Sequence, residues 1–171
     1  MKKSILGVCA LGLAMLVGCT PSEQQIKQTA TAIGYAAGLV ANETPIKGDA
    51  RNALIVVINE VRAYLPNEGQ SFAEAWEPII KEKVAALVEA GKIDAATGEI
   101  VTSVAIIAAK GVDYIFEIRY PAAKQYANLV AAGASGAIDG FLAAFKPANS
   151  KDGGEAIVRD EAAYQWFKTH K

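Results

Sequence analysis

Catalytic hardware is scarce in this chain. Its 171 residues include one histidine, His170, and two cysteines, Cys9 and Cys19. One histidine cannot supply a His cluster, so carboxylates are the main candidate metal ligands. Asp152-Gly153-Gly154-Glu155 is too sparse for a calcium loop, which places oxygen ligands at alternate positions, and reads as a linker. Ser135, within Gly133-Ala134-Ser135-Gly136-Ala137, has a glycine on the wrong side for a nucleophile elbow and falls mid-helix. Charge of one sign is missing too: 17 basic residues face 18 acidic ones. Without a basic patch, nucleic-acid binding is not expected. Nor does any segment show the period-two alternation of a half-buried strand. These absences lead to the expectation of an all-α protein that is not an enzyme and holds no metal or cofactor.

What is present starts at the N-terminus. Lys2 and Lys3 precede an apolar stretch from Ile5 to Val17. At 13 residues it is too short to span a ~30 Å hydrocarbon layer, which takes roughly 20. It ends in Leu16-Val17-Gly18-Cys19. This arrangement resembles the lipobox signal of bacterial lipoproteins: Leu, a small or aliphatic residue, Gly or Ala, then Cys. The resemblance covers residues 1–19 and implies cleavage between Gly18 and Cys19, loss of 1–18 as a signal peptide, and covalent lipid (palmitate and related acyl chains) on Cys19. It further implies a membrane-anchored place in the bacterial cell envelope. In a Gram-negative cell, Asp after the cysteine commonly retains the protein in the inner membrane; Thr20 stands there, which implies the outer membrane. In a Gram-positive cell the same signal implies the outer face of the only membrane.

That processing changes the arithmetic of the rest. Cys9 leaves with the signal and Cys19 carries lipid, so no cysteine remains for a disulfide. Removing 18 residues leaves 153, enough for a core that buries roughly 70% of the unfolded surface. Loss of Lys2 and Lys3 takes the formal charge to −3, with 15 basic against 18 acidic residues. Attachment therefore falls to the lipid: each buried methylene is worth ~0.8 kcal/mol, and two or more acyl chains hold stably. Residues 19–21 form a short tether.

Helical periodicity fills most of 22–146. Ser22 with Gln25 forms a capping box opening a first helix to about Ala41, with Ile26, Ile33, Ala37 and Val40 on one face. A second runs from about Gly48 to Leu65, with Leu54, Val57, Ile58, Val61 and Leu65 as its stripe, stopped by Pro66. Ser71 with Glu74 opens a third, to Ala90, whose interior Pro78 predicts a kink or a split near Glu77. Gly91 supplies its C-cap. The fourth, from Asp94 or Thr97 to Arg119, is apolar nearly all round, and so is expected at the centre. A fifth runs from about Ala122 to Phe145. Residues 147–159 read as a loop, and Asp160 caps a short last helix over 160–171. The expectation is a compact bundle of about five main helices plus a short C-terminal one.

Three groups of residues stand out on these helices. Ala30, Gly34 and Gly38 recur at every fourth position on the first, as do Ala132, Gly136 and Gly140 on the fifth. Small residues so spaced let backbones approach closely, and the two ridges can face each other. The fifth helix is also the only segment of near-spanning length, although Asp139 would be expensive in mid-bilayer. Lys110, Asp113 and Glu117 share a strip of the fourth helix beside Tyr114, expected to be ion-paired and to reach solvent. Finally Tyr164, Trp166 and Phe167 crowd the last helix: Tyr164 and Phe167 share a face while Trp166 points elsewhere, either docking the helix or anchoring a partner. The resulting expectation is a lipid-anchored lipoprotein whose bundle binds or supports another envelope protein. The alternatives are a phage- or prophage-encoded lipoprotein that excludes or inhibits infection, and a membrane-perturbing or oligomerising protein built on the small-residue helices.

Overall fold

The computed structural model describes residues 21–43, 46, 48–67, 70–145 and 159–170. Six α-helices follow one another: α1 (Glu23–Ala41), α2 (Asp49–Val61), α3 (Phe72–Glu89), α4 (Ala95–Tyr114), α5 (Ala127–Ala143) and α6 (Glu161–His170). A π-helical turn, Ile115–Arg119, prolongs α4, and a 3-10 helix, Pro121–Gln125, leads into α5. Among the described residues there is no strand. The chain is an all-α bundle of five main helices and a short C-terminal one.

Local chemistry sets most of the helix starts. The Gln25 N–H donates to Ser22 Oγ at 3.2 Å while the Ser22 N–H donates to Gln25 Oε1 at 2.9 Å. Ser71 and Glu74 repeat the reciprocal pair at 3.1 and 3.0 Å. Asp94 accepts the Thr97 N–H at 2.7 Å, and Asp160 accepts the Ala163 N–H at 2.9 Å. At the far end of α3, Gly91 takes φ of 65°. The left-handed residue lets the Lys92 N–H reach the Leu87 carbonyl and the Gly91 N–H reach Val88, closing the helix.

The caps carry a pH signature. Backbone hydrogen bonding to Ser71 holds the Glu74 carboxyl below its ordinary value, and backbone hydrogen bonding to Thr97 does so for Asp94. A carboxyl lowered on folding contributes stability above its unfolded pKa and loses it as pH falls through the folded one. Thermal unfolding between about pH 6 and about pH 3 should therefore show a larger loss for the wild type than for a Glu74→Gln/Asp94→Asn variant. Equal losses would mean that these caps do not titrate.

Two boundaries differ from the sequence expectation, and one of the two alternatives at Pro78 is excluded. α2 ends at Val61 rather than Leu65, because the residue before Pro66 is steered out of helical geometry and the chain has already turned at Arg62. Leu65 is consequently 48% exposed instead of core. α3 is a single helix through Pro78, so the split expected as one alternative does not occur. The proline deprives the Glu74 carbonyl of its i+4 donor. Phe72, Trp76, Ile80 and Val84, buried at four-residue intervals on both sides of it, keep one face in the core and hold the helix together. Finally α5 begins at Ala127, since extended Tyr126 separates it from the 3-10 turn, which buries Ala123 as it reverses the chain.

The tightest pairing is between α1 and α5. A Cβ built on Gly34 would lie 1.9 Å from the Ala137 carbonyl oxygen, and one on Gly140 would lie 2.0 Å from that of Thr31. Gly136 and Gly38 meet the carbonyls of Lys27 and Phe141 at 2.5 and 2.6 Å by the same construction. Partner numbers rise together along both helices, so α1 and α5 run parallel. Asn42 Nδ2 closes the upper end by donating to the Ala144 carbonyl at 2.6 Å.

α4 lies against α1, α2, α3 and α5 and buries Val101, Val104, Ala105, Ala108, Ala109 and Val112. It is central, though not enclosed all round: Ile100 and Ile118 reach solvent. With its π-turn, Ala95–Arg119 is the one helix among the described residues long and apolar enough to cross a membrane, a role in length that the sequence pattern assigned to α5. α5 has 17 residues, and its Asp139 is exposed and paired with Arg62.

Candidate functional site

Cys19 and Gly18 lie outside the described residues, as do Cys9, residue 20 and 146–158. The described chain begins at Pro21, one residue before the Ser22 cap, so α1 starts immediately after the tether. Gly34, Gly38, Gly136 and Gly140 are all turned into the α1–α5 contact.

The aromatic residues of α6 face the bundle. Phe167 is buried, its ring 5.6 Å from Tyr114. Trp166 lies 5.2 Å from the same Tyr114 ring and meets Phe167 edge-on at 5.1 Å. It therefore shares the Tyr114 contact with Phe167 rather than pointing away. The two can do so because Tyr114 stands between consecutive α6 side chains. His170 stacks on Trp166 at 4.4 Å, and the Arg159 guanidinium covers Tyr164 at 4.2 Å. Lys168 pairs with Glu43 at 3.8 Å, and Arg119 with Asp160 at 3.1 Å. Trp166 remains half-buried beside a cleft of about 240 Å³ shared with Lys110, Asp113, Glu117 and His170.

The polar strip of α4 has a different role from an ion-paired row. Asp113 turns to the start of α3, where Oδ1 accepts the Phe72 N–H at 2.6 Å and Oδ2 the Ala73 N–H at 2.9 Å. With Ser71 Oγ on the Glu74 N–H, the unpaired donors of the first turn of α3 are satisfied. Lys110 reaches the His170 carbonyl at 3.4 Å, and Glu117 approaches Lys124 at 4.0 Å. Burial pushes the Asp113 carboxyl up from its ordinary value, and the Ala73 and Phe72 N–H groups pull against it. Nothing local in the sequence marks this cap, because its donors lie about 40 positions away. Asp113→Ala should cost about 2–3 kcal/mol in urea unfolding, since it strands two part-buried N–H groups. A cost below about 0.5 kcal/mol would show that water replaces the carboxylate.

A larger cleft, of about 710 Å³, opens at the end of the bundle where α2 stops and α3 and α5 start. Leu65, Pro66, Phe72, Pro121, Ala122 and Val130 give it apolar walls, with Lys124, Gln125, Asn67 and Gln70 among its polar lining. Its size and its apolar lining with a few polar groups are those of a ligand pocket. The walls come from two stretches far apart in sequence, within 65–72 and 121–130, so no contiguous motif announces them. Beside Pro121, Tyr120 lines a further cleft of about 390 Å³ with Pro21, Gln25, Gln28 and Thr29, and its hydroxyl lies 3.0 Å from Thr29 Oγ1. The cleft and the start of the described chain thus share one end of the molecule.

Among the described residues no group of three or more His, Cys, Asp or Glu is placed to hold a metal ion. No known protein family, curated protein or solved structure matches the chain.

Proposed function

We propose that this chain is a lipid-anchored lipoprotein of the bacterial envelope whose helical bundle serves a non-enzymatic binding or accessory role. The observation that carries the reading is Leu16-Val17-Gly18-Cys19, set behind a basic start and an apolar stretch and directly ahead of the Ser22 cap. A lipidated Cys19 would leave only residues 20 and 21 between the anchor and a folded helix. The small-residue ridges of α1 and α5 are engaged with each other inside the bundle. That supports a binding module over a membrane-perturbing one, which would need those ridges free. The aromatic docking of α6 leaves Tyr164 and Trp166 partly exposed, and these would be its side chains for an envelope partner.

Growth with a clickable palmitate analogue tests the anchor. The wild-type protein should take up label and sediment with membranes. Cys19→Ser should lose both the label and signal cleavage, and an equally labelled serine variant would refute the assignment.

A further inference from the structure

The cleft-bearing end carries apolar surface that the bundle does not use. Leu65 is 48% exposed on its wall and Tyr126, next to the lining residue Ala127, is 42% exposed. Pro121 and Ala122 are exposed beside them. Pro21 emerges at this same end, separated from the cleft by Tyr120 and Pro121. Two residues of chain reach at most about 7 Å, so a lipid on Cys19 brings the bilayer close to this end of the molecule.

We infer that this end face is a membrane-docking surface: the apolar cleft receives an acyl chain of a bilayer phospholipid. The inference rests on the lipid anchor at Cys19. Two features favour lipid over a protein as the occupant. Two tether residues leave no room for a folded partner between face and bilayer. Tyrosine beside an apolar wall suits the boundary between headgroups and hydrocarbon. The anchor makes the contact intramolecular, so a modest apolar area is sufficient to hold it.

Nitroxide labels at Leu65→Cys and Ala122→Cys test this, with Ile100→Cys on the first turns of α4 as the reference away from that end. Each variant is purified as the membrane-derived lipoprotein and placed in phosphatidylethanolamine/phosphatidylglycerol vesicles. The ratio of oxygen to nickel-chelate collision should rise several-fold at positions 65 and 122 over that at 100. Equal, water-like ratios at all three overturn the docking, and so does spin–spin broadening between Ala122→Cys labels, which marks a second copy on the face. Thiol titration of the unlabelled wild type separates the two readings. A reactive Cys19 overturns the anchor and the docking with it; a blocked Cys19 with water-exposed labels overturns the docking alone.

Discussion

Gly34→Ala and Gly140→Ala are each expected to destabilise the domain by about 3 kcal/mol or more, and together to leave it largely unfolded. In an unconstrained helix interior the same change would help by about 1 kcal/mol, because alanine is the better helix former. The sign reverses here because the new methyl groups would stand 1.9 and 2.0 Å from backbone carbonyl oxygens of the facing helix. Backbone cannot swing aside as a side-chain tip can, so α1 and α5 must separate and uncover Ile26, Ala30, Ile33 and Ala37. Gly111→Ala is the matched control. Its Cβ would meet Ala37 Cβ at 3.4 Å and Phe167 at 3.9 Å, ordinary contact distances. That variant should be neutral or gain up to about 1 kcal/mol. Urea unfolding followed by far-UV circular dichroism reads all three. A Gly34→Ala protein as stable as the wild type would mean that the two helices are further apart than described.

Trp76→Ala should be still more damaging, costing about 4–6 kcal/mol. The indole is fully buried, meets Phe72 edge-on at 5.1 Å and donates from Nε1 to the Tyr64 carbonyl at 2.7 Å. Phe72 in turn stacks on Phe116 at 6.1 Å, so the ring sits between the end of α2 and the π-turn after α4. Truncation opens a cavity and strips the Tyr64 carbonyl of its donor at the same time. Trp76→Phe separates the two: it keeps most of the volume, loses the hydrogen bond, and should cost about 1–3 kcal/mol. Indistinguishable alanine and phenylalanine variants would contradict this division.

Much of the architecture was legible because its signals are local. Ser22 with Gln25 and Ser71 with Glu74 satisfy donors three residues away, so sequence spacing alone identifies them. The four-residue repeats of glycine and alanine likewise marked which faces of α1 and α5 approach closely. Their parallel direction and register were not legible, since both depend on how three intervening helices return the chain. At Pro78 the split does not form for a related reason: the cost of one lost backbone bond is local, whereas the buried residues that outweigh it are tertiary. Leu65 fitted the periodicity of α2, yet Pro66 ended the helix a turn earlier and left it at the mouth of a cleft. Asp113 was legible as a polar residue on an apolar helix. Its work as a cap on α3 follows from a pairing that no spacing rule encodes.

The proposed assignment stands on Cys19, and the intact mass of the protein purified from membranes tests it most directly. The expected species is residues 19–171 plus the mass of two or three acyl chains and their glycerol, with no reactive thiol. A polypeptide that retains residues 1–18, or one cleaved elsewhere with Cys19 unmodified, would contradict it.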